Sequence, residues 1–173
     1  MGRDKALLPF AGGTLAAHVA GIVAEAAGSA VIIGDPEKYG GWGYTALRDR
    51  EPGLGPLGGI ERALSCTTAD WNLVLACDMP DVSAAFLRGL LEAAERLNGD
   101  ALLPAGPSGR PEPLCAVYHR RCHAILRAAL DSGARKITYA LDGLRVRAWN
   151  VDNAECFRNL NTPDEWAGYH DAR

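Results

Sequence analysis

The sequence has 173 residues, which is enough for one domain with a sizeable core but short for two. Hydrophobic residues make up 48% of it and charged residues 23%, and the net charge of −3 excludes a globally basic surface for nucleic acid or an anionic membrane. Apolar runs are too short for a transmembrane helix, and no basic stretch followed by an apolar one opens the chain. We therefore expect a cytoplasmic protein with a single domain over residues 1–173 and with neither nucleic acid nor membrane as a partner.

Strand and helix signals alternate along the chain. A helix is indicated where apolar residues recur at helical spacing behind a capping residue, as from Thr14 to Gly28 and from Ser83 to Asn98. Strands are indicated by short apolar runs, which are residues 30–33, 44–47, 71–76, 101–103, 114–118 and 144–149. This alternation predicts an α/β fold with a mainly parallel sheet flanked by helices.

The strand of residues 71–76 leads to Asp78, the first candidate for a functional residue. The run is mostly apolar, as in a strand covered on both faces, and the chain then turns because the residue before Pro80 disfavours helical geometry. In open α/β sheets, ligands bind beyond the carboxyl ends of the strands, where Asp78 would lie. A carboxylate there can hold Mg²⁺ against the phosphates of a ligand. The ordinary alternative is an aspartate that caps a helix or a turn.

Residues 49–59 form a second candidate, because this stretch is rich in glycine and proline. It is too irregular for a strand, and we expect a helix to open only at Gly58 and to run to Ser65. Glycines just before a helix let backbone amides approach a phosphate or sugar closely. A loop without a ligand is the alternative.

Cys115, His119, Cys122 and His123 lie close together in the sequence. They lack the paired C-x2-C spacing of structural zinc sites, and they span a predicted strand and the start of a helix, so their side chains should diverge. We assign them no metal and the two histidines no catalytic role. The five cysteines are odd in number and scattered, which predicts free thiols.

Five short motifs follow one another along the chain. They are Met1-Gly2-x-Asp4-Lys5, Gly55-Pro56-Leu57-Gly58-Gly59, Cys77-Asp78-Met79-Pro80, Arg110-Pro111-Glu112-Pro113-Leu114 with Cys115-Ala116-Val117-Tyr118, and Asn159-x-Asn161-Thr162-Pro163. In this order they make the sequence resemble the molybdenum cofactor guanylyltransferase family, within the nucleotidyltransferases of Rossmann-like fold. The resemblance covers nearly the whole chain.

The resemblance implies a reaction in which GMP passes from GTP to the phosphate of molybdopterin and pyrophosphate is released, with Mg²⁺ as the cofactor. It implies that Lys5 contacts the nucleotide phosphates and that Asp78 binds the magnesium, so both are catalytic. Further nucleotide contacts are implied at Asp49, Gly55, Gly58 and Gly59. Asn159 and Asn161 are implied on the molybdopterin side, although a helix start capped by Thr162 explains that segment without any function. Molybdoenzyme apoproteins or their chaperones are implied as further partners.

The sequence departs from this family at its beginning. The family's signature starts further upstream, with a strand and a Leu-Ala-Gly-Gly-x-Ser-x-Arg run before the motif that holds Lys5. The resemblance therefore implies that the first strand and half of the phosphate loop are missing from the given chain. We expect an open slot between residues 30–33 and 71–76, or another segment displaced into it, with residues 1–5 near Asp78. The same departure predicts that Met1 is not the natural start or that the chain as given is inactive.

Two other hypotheses stay open. One is an enzyme of the same fold that uses CTP or a sugar-phosphate acceptor. The other is a catalytically silent nucleotide-binding or partner subunit.

Overall fold

The structure is a computed structural model that describes residues 4–160, 165, 166 and 169. Within these residues the strands are β1 (Pro9–Phe10), β2 (Gly13–Thr14), β3 (Val31–Ile33), β4 (Thr45–Leu47), β5 (Trp71–Leu75), β6 (Ala101–Ala105), β7 (Cys115–His119) and β8 (Val146–Asn150). The α-helices are α1 (Leu15–Ala27), α2 (Pro36–Tyr39), α3 (Gly55–Ser65), α4 (Ala84–Glu95), α5 (Cys122–Asp131) and α6 (Ile137–Leu141). In the part of the chain so described, every helix falls short of the length and apolarity that crossing a bilayer requires.

The described strands form three separate sheets, one of four strands and two of two strands. Four strands pair in the order β5-β7-β6-β8, β3 pairs with β4, and β1 with β2 makes a small hairpin. The α/β class is confirmed, but the prediction of a mainly parallel sheet needs a correction. β3–β4 and β6–β8 are parallel, whereas β7 runs antiparallel to both β5 and β6. The reason is the connection of residues 106–114, which contains no helix and so turns the chain back, since a parallel return needs a longer crossover.

Local capping signals explain where the helices begin and end. The Thr14 side chain accepts a hydrogen bond from the backbone N–H of Ala17 at the start of α1, and Ser83 does the same for Phe86 at the start of α4. Helix α1 ends at Gly28, whose φ of +81° lies in the left-handed region that favours glycine. These boundaries agree with the predicted ones.

An open slot separates β3 from β5. One edge of β3 pairs with β4, and one edge of β5 pairs with β7. Among the described strands, no hydrogen bonds pair β3 with β5. A cavity of about 360 Å³ lies between them, bounded by apolar residues of α1 and α3 as well as by the two strands. Val31 is consequently 52% exposed, and every residue of β5 is only half-buried. The expectation of a slot at this position is confirmed.

A buried carboxylate joins the starts of strands β6 and β8 and of helix α5. Asp100, which is 7% exposed just before β6, accepts hydrogen bonds from Nε of Arg121 at 2.6 Å and from Nη2 of Arg145 at 2.9 Å. It also accepts one from the backbone N–H of Arg145 at 2.9 Å. The bonds from Arg145, helped by those from Arg121, hold the pKa of Asp100 well below its usual range and outweigh the opposing effect of burial.

We expect Asp100→Asn to lower the free energy of unfolding by about 2 kcal/mol at pH 7, since it weakens charge-assisted bonds whose arginines are partly exposed. The pKa of Asp100 is lower in the folded chain than the value of about 3.9 in the unfolded chain. Its stabilisation is therefore present above about pH 4 and lost as the pH falls further. Urea unfolding of the variant and the wild type at pH 7 and at pH 3 measures the stability difference and its loss at low pH. Asp131→Asn, at an exposed ion pair with Arg127, is the control and should change stability little; equal stability of Asp100→Asn and wild type would contradict the prediction.

Candidate active site

The candidate site lies at the carboxyl end of β5. Cys77 and Asp78 follow β5 in a turn closed by a 3.3 Å hydrogen bond from the Met79 N–H to the Ala76 carbonyl. Burial first, and then the nearby carboxylates of Asp78 and Asp4, raise the pKa of Cys77 to about 11, and the Lys5 ammonium opposes them. Asp78, Asp4 and Lys5 therefore all lie within electrostatic reach of one thiol. The roles of Lys5 and Asp78 stay predictions, and residues 1–3 of the motif that holds Lys5 lie outside the described residues.

Lys5 begins a short 3-10 helix, Lys5–Leu7, that Asp4 caps. Oδ1 of Asp4 accepts a hydrogen bond from the backbone N–H of Ala6 at 3.2 Å. Its other oxygen accepts one from the Tyr39 hydroxyl at 2.6 Å. Burial and then the Asp4 carboxylate raise the pKa of Tyr39 well above its usual value, so the phenol remains a donor.

Sequence reasoning missed the part that Tyr39 plays, because it read no helix after residue 36. Asp35-Pro36-Glu37 nevertheless carries the signal of a helix start, with a capping aspartate followed by a proline in the first turn. The side chain of Asp35 does accept a hydrogen bond from the N–H of Glu37 at 3.2 Å. Read in that way, the sequence would have put Tyr39 at the end of a one-turn helix.

The chain returns to Asp78 at residues 159 and 160. The N–H of Leu160 donates a 3.0 Å hydrogen bond to the backbone carbonyl of Asp78. Oδ1 of Asn159 is buried and has no hydrogen-bond partner among the described residues. Because a buried polar atom usually has a partner, this oxygen is a candidate to meet a ligand or a cation. Asn161 and the predicted cap at Thr162 lie outside the described residues, so the role of Asn161 stays a prediction.

The glycine-rich stretch is more regular than expected. Helix α3 begins at Gly55, with Pro56 in its first turn, and not at Gly58 as predicted, because proline suits the first turn of a helix. Gly55 has a φ of +64° and is exposed, as is Asp49. Partial burial of the carboxylate raises the pKa of Asp49, and the nearby Arg62 opposes this shift.

Two glycines of α3 have different surroundings. A Cβ on Gly58 would lie 2.4 Å from Cβ of Leu54, which cannot move without its backbone. A Cβ on Gly59 would lie 3.9 Å from Cγ2 of Ile33 at the wall of the slot, an ordinary contact. Gly58 thus has a packing reason to be glycine, whatever it contributes to nucleotide binding.

We expect opposite stability changes from alanine at these two positions. Gly58→Ala should lower the free energy of unfolding by about 1 to 3 kcal/mol through overpacking. Gly59→Ala should raise it by up to about 1 kcal/mol, because alanine favours a helix interior and the slot has room for the methyl group. Chemical denaturation of both variants measures the two changes in the free energy of unfolding. A shift of the same sign in both would contradict the packing described here.

The cysteine and histidine cluster has separate protein partners. Cys115 is buried in the core, and Sγ of Cys122 donates to the carbonyl of Asp100 at 3.1 Å. Nδ1 of His119 accepts from the backbone N–H of Arg121 at 3.1 Å, and Nε2 of His123 lies 2.8 Å from Oε1 of the buried Glu61. These side chains diverge as predicted, and the five cysteines are free.

Comparison with known sequences places this site in a wider context. The pattern of the family described as "MobA-like NTP transferase domain" matches residues 1–145. A "Probable molybdenum cofactor guanylyltransferase" of Methanothermobacter thermautotrophicus is 38% identical over 125 residues, which cover 69% of this chain and 63% of that relative. A "Molybdenum cofactor guanylyltransferase" of Shewanella frigidimarina is 31% identical over 168 residues, which cover 95% of this chain and 85% of the relative.

Comparison with solved structures agrees with the sequence matches. The crystal structure of "Molybdopterin-guanine dinucleotide biosynthesis protein A" from Archaeoglobus fulgidus superposes with a TM-score of 0.81. The superposition covers 99% of this chain and 91% of the other, at 28% sequence identity. The Rossmann-like nucleotidyltransferase fold is thereby confirmed.

Proposed function

Because this chain belongs to the MobA-like NTP transferase domain family, and is therefore a nucleotidyltransferase, we propose that it transfers GMP from GTP to the phosphate of molybdopterin and releases pyrophosphate. The observation that carries the proposal is that Asp78, in the turn after β5, and Lys5 both lie within electrostatic reach of the Cys77 thiol. The names of the relatives support the same reaction.

The proposed reaction suits the side chains of the site. A phosphate is already ionised at neutral pH, so its oxygen can attack the α-phosphorus of GTP without a general base. A P–O bond forms there while the bond from the α-phosphorus to the oxygen bridging it to the β-phosphate breaks, and pyrophosphate leaves with the electron pair. The protein has to position the two phosphates in line and offset their charge. The ammonium of Lys5 supplies positive charge for the departing phosphates.

The residues near Asp78 fit a magnesium ion. Mg²⁺ prefers oxygen ligands and usually takes one or two of them from the protein, with phosphates and water completing its shell. The carboxylate of Asp78 is such a ligand. Oδ1 of Asn159, which is buried and has no hydrogen-bond partner among the described residues, is a second oxygen, and this residue precedes Leu160, which bonds to the backbone of Asp78. When bound, the ion offsets phosphate charge during the transfer. Asp49, Gly55, Gly58 and Gly59 stay in the proposal as nucleotide contacts, and Asn159 and Asn161 stay in it on the molybdopterin side. A cytoplasmic location and molybdoenzyme apoproteins or their chaperones as further partners also belong to the proposal.

Titration calorimetry with GTP and with CTP, each in the presence of Mg²⁺, tests which nucleotide the chain binds. We expect GTP to bind and CTP to bind at least tenfold more weakly, the preference that the names of the relatives imply. Preference for CTP would favour the alternative enzyme of the same fold. GTP binding without any turnover would favour a silent binding subunit.

A further inference from the structure

Tyr39 lies outside every motif that predicted the site, yet its hydroxyl reaches the site. It donates a hydrogen bond of 2.6 Å to Oδ2 of Asp4, across 35 positions of sequence. Asp4 caps the short helix that begins with Lys5. One side chain therefore separates Tyr39 from the turn that carries the proposed phosphate-binding lysine.

Both carboxylate oxygens of Asp4 are engaged. Oδ1 holds the N–H of Ala6 at 3.2 Å, and Oδ2 lies 3.9 Å from Nζ of Lys38 in addition to its bond with Tyr39. The Lys38 side chain is 54% exposed, and an exposed ion pair at that distance contributes little. The short bond from a hydroxyl to a carboxylate is of the stronger, charge-assisted kind. The Tyr39 bond is thus the contact that fixes the orientation of the Asp4 carboxylate.

The ring of Tyr39 is itself held by its surroundings. A Cβ at Gly34 would lie 2.5 Å from one carbon of the ring and 2.7 Å from another, so the ring fills the space that a side chain there would need. The ring of Trp42 lies on another side, with the centroids 5.7 Å apart. Gly34 is tied to the β3–β4 pair through a 2.8 Å bond from its N–H to the Leu47 carbonyl. The position of the hydroxyl is therefore set by the β3–β4 pair.

A continuous series of contacts leads from β3–β4 through Tyr39 and Asp4 to Lys5. We propose that Tyr39 is a positioning residue, which fixes the direction of Lys5 toward the nucleotide phosphates. This role rests on the proposed function, because it requires a phosphate ligand at Lys5. A neutral hydroxyl suits it, since a second cation in its place would compete with Lys5 for the phosphates and for Asp4.

Tyr39→Phe tests the role, because the ring keeps its place between Gly34 and Trp42 and only the hydroxyl is lost. We expect the dissociation constant for GTP with Mg²⁺, measured by titration calorimetry, to rise about tenfold, as for the loss of one bond to a charged group. The melting temperature should change by no more than about 4 °C. In a Lys5→Ala background the same substitution should change GTP affinity by less than about twofold, because Tyr39 acts through Lys5.

Tyr118→Phe is the matched control. Its hydroxyl donates a 2.9 Å hydrogen bond to the backbone carbonyl of Pro113, a bond that does not involve Asp4. It should lower the melting temperature and leave GTP affinity unchanged. Equal GTP affinity of Tyr39→Phe and wild type overturns the positioning role and leaves the proposed function standing, and so does a full further loss in the Lys5→Ala background. Failure of the wild-type chain to bind GTP at all overturns both.

Discussion

Asp78→Ala removes nearly all turnover and leaves the fold intact, if this carboxylate holds the cation against the phosphates. Loss of a preorganised electrostatic contact typically costs about 3 kcal/mol or more, on the order of a hundredfold in rate. The fold should survive, because the hydrogen bond that Asp78 accepts from Leu160 uses the backbone carbonyl, which alanine keeps. Steady-state release of pyrophosphate and the circular dichroism spectrum measure the two properties.

Asp81→Ala is the matched control for Asp78. This carboxylate lies three positions further along and accepts a 2.6 Å hydrogen bond from the Tyr169 hydroxyl. We expect Asp81→Ala to lower stability and to keep most of the turnover. Near-normal turnover of Asp78→Ala would remove Asp78 from the cation site, and a variant that fails to fold would favour the role of a turn or capping aspartate.

Lys5→Ala should weaken GTP binding and slow the reaction together, because the proposed role of its ammonium is to contact the phosphates before and during their departure. Loss of hydrogen bonds to a charged group is worth about 1.5 to 3 kcal/mol, or roughly tenfold to a hundredfold in kcat/KM. Lys5→Arg should restore only part of the loss, because a planar guanidinium does not replace a compact ammonium. Lys38→Ala, which removes a nearby exposed ammonium, is the control and should have little effect. Unchanged GTP affinity in Lys5→Ala would show that Lys5 does not contact the phosphates.

Local chemistry made much of the fold predictable. Residues within one turn of each helix boundary determine the caps at Thr14 and Ser83 and the helix end at Gly28. These boundaries can therefore be predicted from the sequence. The same holds for the turn after β5 that presents Asp78. The slot between β3 and β5 was expected only through the family resemblance, because nothing within either strand specifies its neighbour in the sheet.

Features that depend on distant contacts escaped the sequence. The direction of β7 is set by how the chain turns back over residues 106–114, which strand propensity does not report. Position 58 is glycine because Leu54 lies too close for a side chain there. This contact could not be predicted, because the glycine-rich stretch did not indicate a helix before Gly58. The contact between Tyr39 and Asp4 joins parts of the chain 35 positions apart, so no local pattern reveals it. The buried oxygen of Asn159, which has no hydrogen-bond partner in the part of the chain that the structure describes, is likewise apparent only once the chain has folded back to Asp78.

The most direct measurement of the proposed reaction combines the chain with GTP, Mg²⁺ and molybdopterin, and follows pyrophosphate and the dinucleotide product by chromatography. We predict one pyrophosphate for each molybdopterin-guanine dinucleotide formed. Neither should appear when molybdopterin is omitted, and both should form about a hundredfold more slowly when Asp78→Ala replaces the wild type. Formation of the cytosine dinucleotide from CTP in preference to the guanine product, or no product from a chain that is folded and binds GTP, would contradict the proposed guanylyltransferase.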